Sequence, residues 1–184
     1  WIAKLATLNA RSGVWHCSSE DLATDTYGRI LWYCPDLAED QIRRGLAHAM
    51  TVTSDPADAR YLAAQADAVR NRRGMWAHGV PAYVMTSIHS ITEGRAKEGK
   101  VYNRLVSTWD GHSASQRHAD AYDECQNVCA EERKIEESSI APTVAALRGN
   151  EDLKDILSGM SDARIEQMVR DYGQLGYIVM KKQP

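Results

Sequence analysis

The sequence contains no phenylalanine, 5 prolines and 4 cysteines in 184 residues, and no apolar run near the ~18 residues of a membrane-spanning helix. Each shortage removes a class of protein. Four cysteines permit three pairings, but a chain this large, with an adequate core, does not require bridges for stability. Five prolines and 12 glycines without a period exclude collagen and low-complexity linkers. A net charge of −3 excludes a bulk polycation. Trp1 to Leu8 is too short for the apolar region of a signal peptide. The strings H-E-x-x-H, C-x-x-C and G-x-G-x-x-G are absent.

What remains is ordinary globular composition, 43% apolar and 26% charged. The 5 Trp and 8 Tyr must supply all aromatic packing, and both carry a polar handle that favours interfaces or a buried hydrogen-bond partner. Length predicts a single domain over 1–184. Residues 1–35 would bear a hairpin, 36–137 the main helical core, and 138–184 a subregion of short helices.

The elements follow from periodicity and caps. Ile2, Leu5 and Leu8 trace a short amphipathic helix that Gly13 ends. Val14–Cys17 and Tyr27–Tyr33 read as the two strands of a hairpin, rich in aromatic and β-branched residues. Asp36 with Glu39 has capping-box spacing, ahead of a stripe of Ala38, Ile42, Leu46 and Ala49. Asp55-Pro56 opens the next helix, with Ala59, Leu62, Ala66 and Val69 inward; Arg70, Arg72 and Arg73 end it and Gly74 stops it. Pro81 opens a third, with Val84, Ile88 and Ile91 inward. Val101, Tyr102, Leu105, Val106 and Trp109 form the apolar face of a fourth. Ser113 with Gln116 starts a long helix reaching about Glu137. Pro142–Leu147, Asp152–Leu157 and Asp162–Tyr172 are short helices, and Tyr177–Met180 suits one C-terminal strand. The fold class expected is mainly α: a helical, bundle-like domain with a small N-terminal β-hairpin and room for that last strand.

Several strings suggest chemistry and fall short. Gly94 to Lys100 satisfies G-x-x-x-x-G-K, but Val101 stands where a magnesium-binding Ser or Thr belongs. His118, Cys125 and Cys129 share a helical face and are weak metal candidates, since the spacing is not that of a zinc knuckle. No cofactor is therefore expected. The cysteines are expected as thiols, and any bridge would join Cys17 or Cys34 to Cys125 or Cys129, because Cys125 and Cys129 sit too far apart on a helix to pair. Gly159-Met160-Ser161 has the look of a helix-turn-helix corner, yet the helix after it carries charges that cancel.

Charge layout carries the functional reading. Residues 1–40 have a net charge of −3, 41–104 of +5, 105–171 of −7 and 172–184 of +2. The basic middle holds three clusters, Arg43 and Arg44, Arg70 to Arg73, and Arg95, Lys97, Lys100 and Arg104, with Trp76 among them. Arginine beside aromatic rings is the chemistry of single-stranded nucleic-acid binding, with charges on the backbone and rings on bases. The expected function is a non-enzymatic assembly or binding subunit of coat, nucleoprotein or scaffold type. Its partners would be further copies of itself and RNA or single-stranded DNA, with no membrane, in an intracellular or particle-associated setting. Two alternatives stand beside it: a hydrolase using His and carboxylates with or without zinc, and a disulfide-tied adaptor or effector.

Overall fold

The computed structural model describes residues 2–25, 28–87, 102–117, 133–172 and 174–175. The chain divides into two compact units with interleaved sequence. A helical unit comprises 2–49 and 58–80; a second unit comprises 50–57 and 81–184.

The helical unit is built on α1 (Ile2–Ser12), α2 (Pro35–Arg43) and α3 (Ala59–Arg70). Helix α2 starts with Pro35 in its first turn after Cys34, where a missing N–H costs nothing. Helix α3 starts three residues later than Asp55-Pro56 suggests. Asp58 is its N-cap, and its carboxylate accepts from the Arg60 N–H at 2.7 Å. The inward face of α3 is Ala64, Gln65 and Ala68, not the expected stripe, in which Ala66 is exposed. Gln65 is inward because its Oε1 accepts the Ala49 N–H at 2.8 Å. Helix α1 packs on α2 through Leu5 and through Asn9, whose amide donates to Asp40 at 2.8 Å.

The N-terminal hairpin is present in reduced form. Its arms meet only at isolated bridges, Ser18 with Tyr33 and Thr24 with Ile30, so the first arm is 18–24, not Val14–Cys17. A disulfide joins Cys17 to Cys34 across the base, Cα atoms 4.2 Å apart. This corrects the expectation of thiols at these two positions. The Ser18–Tyr33 bridge brings the flanking residues into register, so the two hairpin cysteines close on each other.

The second unit contains an antiparallel sheet of β1 (Tyr83–Ser87), β2 (Tyr102–Ser107) and β3 (Ser113–Arg117), in that order. Three helices expected here are therefore strands over the described residues. Tyr83, Val84 and Thr86 favour a pleated surface. Val106 and its neighbour Ser107 are both buried, so burial does not alternate here, and it is the pairing with β1 and β3 that makes this segment a strand. Ser113 does not cap a helix; its hydroxyl donates to the Thr51 carbonyl, which fastens the 50–57 segment to β3. Short strands β4 (Arg133–Lys134) and β5 (Gln174–Leu175) pair antiparallel. Helices α4 (Glu137–Arg148), α5 (Lys154–Leu157) and α6 (Asp162–Tyr172) bury Ile140, Val144, Leu147, Ile156, Leu157, Ile165, Met168 and Val169. Helix α4 begins before Pro142, which lies inside it. Arg148 locks this cluster, donating to the Leu157 carbonyl at 2.8 Å and to Asp162. Helix predominates overall, and among the described residues no helix is long and apolar enough to cross a membrane. The Gly94–Val101 string and the Tyr177–Met180 strand lie outside the described residues.

Candidate anion-binding site

Two of the three basic clusters come together, and the cause is how α2 and α3 end. Each closes in the same motif. After α2, the Gly45 N–H donates to Ile42 and the Leu46 N–H to Gln41, with Gly45 left-handed at φ +68°. After α3, the Arg72 N–H donates to Val69 and the Arg73 N–H to Ala68, with Arg72 left-handed at φ +52°. The two ends are then stitched together: the Met75 N–H donates to the Gly45 carbonyl at 2.9 Å, and Arg73 Nη1 to the Arg43 carbonyl at 3.3 Å. A Cβ at Gly45 would lie 2.2 Å from the Arg73 carbonyl oxygen, and one at Gly74 2.2 Å from that of Gly45. Only glycine permits backbones this close.

Arg43, Arg44, Arg70, Arg72 and Arg73 thereby share one end of the helical unit. Most are engaged by carboxylates of the same helices. Arg43 binds Glu39, Arg44 binds Asp40 at 2.8 Å, and Asp67 takes both Arg70 at 3.3 Å and Arg73 at 2.7 Å. Arg60, which sequence reading overlooked, bridges α3 to α2 through Asp36 at 2.6 Å and through Glu39. The Arg60 and Arg43 guanidiniums hold the Glu39 carboxyl below the usual range. Partial desolvation pushes Asp67 up, but Arg73 and Arg70 together outweigh it and leave it lowered. Arg72 differs: it is exposed, and its side chain has no hydrogen bond or ion pair among the described residues.

The remaining predicted positions do not join this site. Trp76 is 2% exposed, so its ring belongs to the core and offers no stacking surface, which corrects its assignment to a binding face. Arg104 lies in the other unit, on β2 opposite Ser115 of β3. Arg95, Lys97 and Lys100, and the metal candidates His118, Cys125 and Cys129, lie outside the described residues. Among the described residues of the helical unit, the exposed Trp and Tyr rings are those of Trp32 and Tyr33. The Tyr33 hydroxyl lies 3.1 Å from that of Tyr61, and burial together with this contact pushes Tyr61 up to about 12.

A histidine–carboxylate pair outside the predicted set occupies the turn between β2 and β3. His112 Nδ1 lies 2.6 Å from Asp110, with the Tyr83 ring edge-on to the imidazole. His112 and then Ser107 hold the Asp110 carboxyl low. Among the described residues no three His, Cys, Asp or Glu side chains gather closely enough to hold a metal ion. No protein-family model matches this sequence, and neither a curated protein nor a solved structure is significantly similar to it.

Proposed function

We propose that this protein is a binding subunit that holds RNA or single-stranded DNA through the arginines at the joined ends of α2 and α3. The observation that carries this reading is Arg72. A left-handed backbone costs an L-residue about 1–2 kcal/mol, and glycine normally takes that position in this helix ending. Here an arginine bears the cost, and its guanidinium is exposed with no side-chain partner among the described residues. Backbone strain clusters at functional sites, and of the left-handed non-glycine residues Asp21, Leu22 and Arg72 only Arg72 lies among the basic clusters.

The neighbouring ion pairs do not block such a site. Arg43–Glu39 and Arg70–Asp67 are open to solvent on the arginine side, while Arg44–Asp40 and Arg73–Asp67 are part-buried. Pairs of the open kind are worth about 0–1 kcal/mol each, so a phosphate can displace those carboxylates at little cost. At this end five arginines (43, 44, 70, 72 and 73) face three carboxylates (Glu39, Asp40 and Asp67), while Arg60 lies at the start of α3. The surplus is modest, because each helix C-terminus contributes about half a negative charge. Binding is therefore weak per site and gains strength from several contacts along one strand.

The test is anisotropy of a labelled oligothymidylate, measured across salt concentrations. Release of counterions from about three phosphates gives a slope near −2 in log affinity against log salt. Reversing Arg70, Arg72 and Arg73 to Glu should lower affinity at least about tenfold while the helical signal is retained. Salt-independent binding, or a triple variant that binds like the parent, contradicts the reading.

A further inference from the structure

The segment Ile30–Tyr33 is the most exposed apolar run in the helical unit: Ile30 is 44% exposed, Leu31 53%, Trp32 58% and Tyr33 58%. Its backbone is used on one side only. Leu31 donates to Ala23, the Arg29 carbonyl accepts from Asp25, and Tyr33 exchanges both bonds with Ser18. The odd-numbered residues thus face the 18–25 arm. The N–H and C=O groups of Ile30 and Trp32 point the opposite way, and neither residue has a backbone partner among the described residues. The Cys17–Cys34 disulfide, the Asp25–Arg29 ion pair and the Tyr33–Tyr61 contact hold the segment extended. Proteins blunt free strand edges with charge, proline or a bulge; this run contains none between Arg29 and Pro35.

We infer that this edge pairs with the same edge of a second copy, antiparallel and two-fold symmetric about Leu31. In that register Ile30 faces Trp32 of the partner subunit, and each such pair exchanges two backbone hydrogen bonds, four across the dyad. The pairing is self-complementary, as a two-fold interface requires. A β-branched side chain meets an aromatic one, a favourable cross-strand combination. Arg29, the one charged residue of the run 28–33, comes opposite Tyr33 of the partner subunit, where a guanidinium can lie on the ring. No like charges are opposed, which favours a second copy as the occupant. The four half-exposed residues offer about 450 Å² per copy at most, below the ~800 Å² per partner of a standard interface. The dimer is therefore weak and depends on concentration.

Sedimentation velocity over about 1–200 µM protein, in about 0.5 M salt to screen contacts made by the arginines, tests this. The native protein should pass from monomer to dimer within that range. Trp32→Lys should raise the dissociation constant at least tenfold. Ile30→Pro, which removes an N–H from the open edge and leaves the 18–25 arm untouched, should do the same. Circular dichroism and thiol titration confirm in each variant that the helices and the disulfide persist. A monomer at every concentration overturns the proposal and leaves the edge to another protein or to nothing. A dimer unchanged by both substitutions overturns it as well. Oligonucleotide binding by monomeric Trp32→Lys separates this inference from the proposed function, which does not depend on it.

Discussion

Replacing Arg72 by glycine should make the protein more stable and a poorer binder. The left-handed conformation at φ +52° costs an L-residue about 1–2 kcal/mol, which glycine does not pay. Glycine also gives the unfolded chain more freedom, which takes back about 0.5–1 kcal/mol. The net gain is about 0.5–1 kcal/mol, increased slightly by separating Arg70 from a like charge. Arg72→Ala is the control, because alanine keeps the backbone strain and loses only the guanidinium; its stability should stay within about 0.5 kcal/mol of the parent. Urea denaturation of the three proteins, followed by far-ultraviolet circular dichroism, gives the ordering. Both variants should lose the same affinity for an oligothymidylate and about 0.7 from the magnitude of the salt slope, the contribution of one phosphate. If Arg72→Gly is less stable than the parent, the strain argument fails. If binding is unchanged in both, this arginine does not serve the site.

Other perturbations test the scaffold. Gly45→Ala and Gly28→Ala both put a side chain on a left-handed residue, at φ +68° and +77°, but only at Gly45 does the new Cβ meet backbone, 2.2 Å from the Arg73 oxygen. Urea denaturation should show a loss of about 1 kcal/mol for Gly28→Ala and about 3 kcal/mol or more for Gly45→Ala; equal losses would mean the helix ends are not held together here. The double variant Cys17→Ser, Cys34→Ser frees a loop of about 18 residues, worth about 3 kcal/mol of closure entropy, and proteolysis of the 18–33 segment should rise several-fold while α2 and α3 persist; an unchanged cleavage rate would show that the disulfide constrains nothing. Burial lowers the pKa of His48 despite its contact with the Ala49 carbonyl. Below the unfolded value near 6.5 the unfolded chain takes up the proton first, so stability falls as pH drops from there toward the folded pKa. His48→Gln should flatten that limb of the pH–stability curve, and persistence of the slope would assign it to another group.

Much of the helical unit was readable because its signals are local. The spacing of Asp36 and Glu39 marks the start of α2, and Arg70, Arg72, Arg73 and Gly74 mark the end of α3, whereas the apolar stripe through Leu46 and Ala49 hides that α2 stops at Arg43. The convergence of the two helix ends was not readable, because it depends on the approach of Gly45 to Gly74, which lie 29 positions apart. Arg60 carries no local signal for a related reason: its partners Asp36 and Glu39 sit on another helix. Trp76 shows the opposite failure, since an aromatic among arginines reads as a surface ring until packing buries it. Sheet residues 83–87 and 102–107 fit a helix in sequence because short apolar runs suit both periods, and only strand pairing decides between them. The cysteine pairing hinged on a single isolated bridge, Ser18 with Tyr33, which no spacing rule reveals.

Amide chemical-shift mapping of the protein titrated with an oligothymidylate at low salt tests the arginine site most directly. Saturable shifts are expected at Arg43–Gly45 and Arg70–Gly74 in the helical unit, with α4, α5 and α6 silent. Shifts centred on those three helices instead, or none at saturating oligonucleotide, would contradict this assignment.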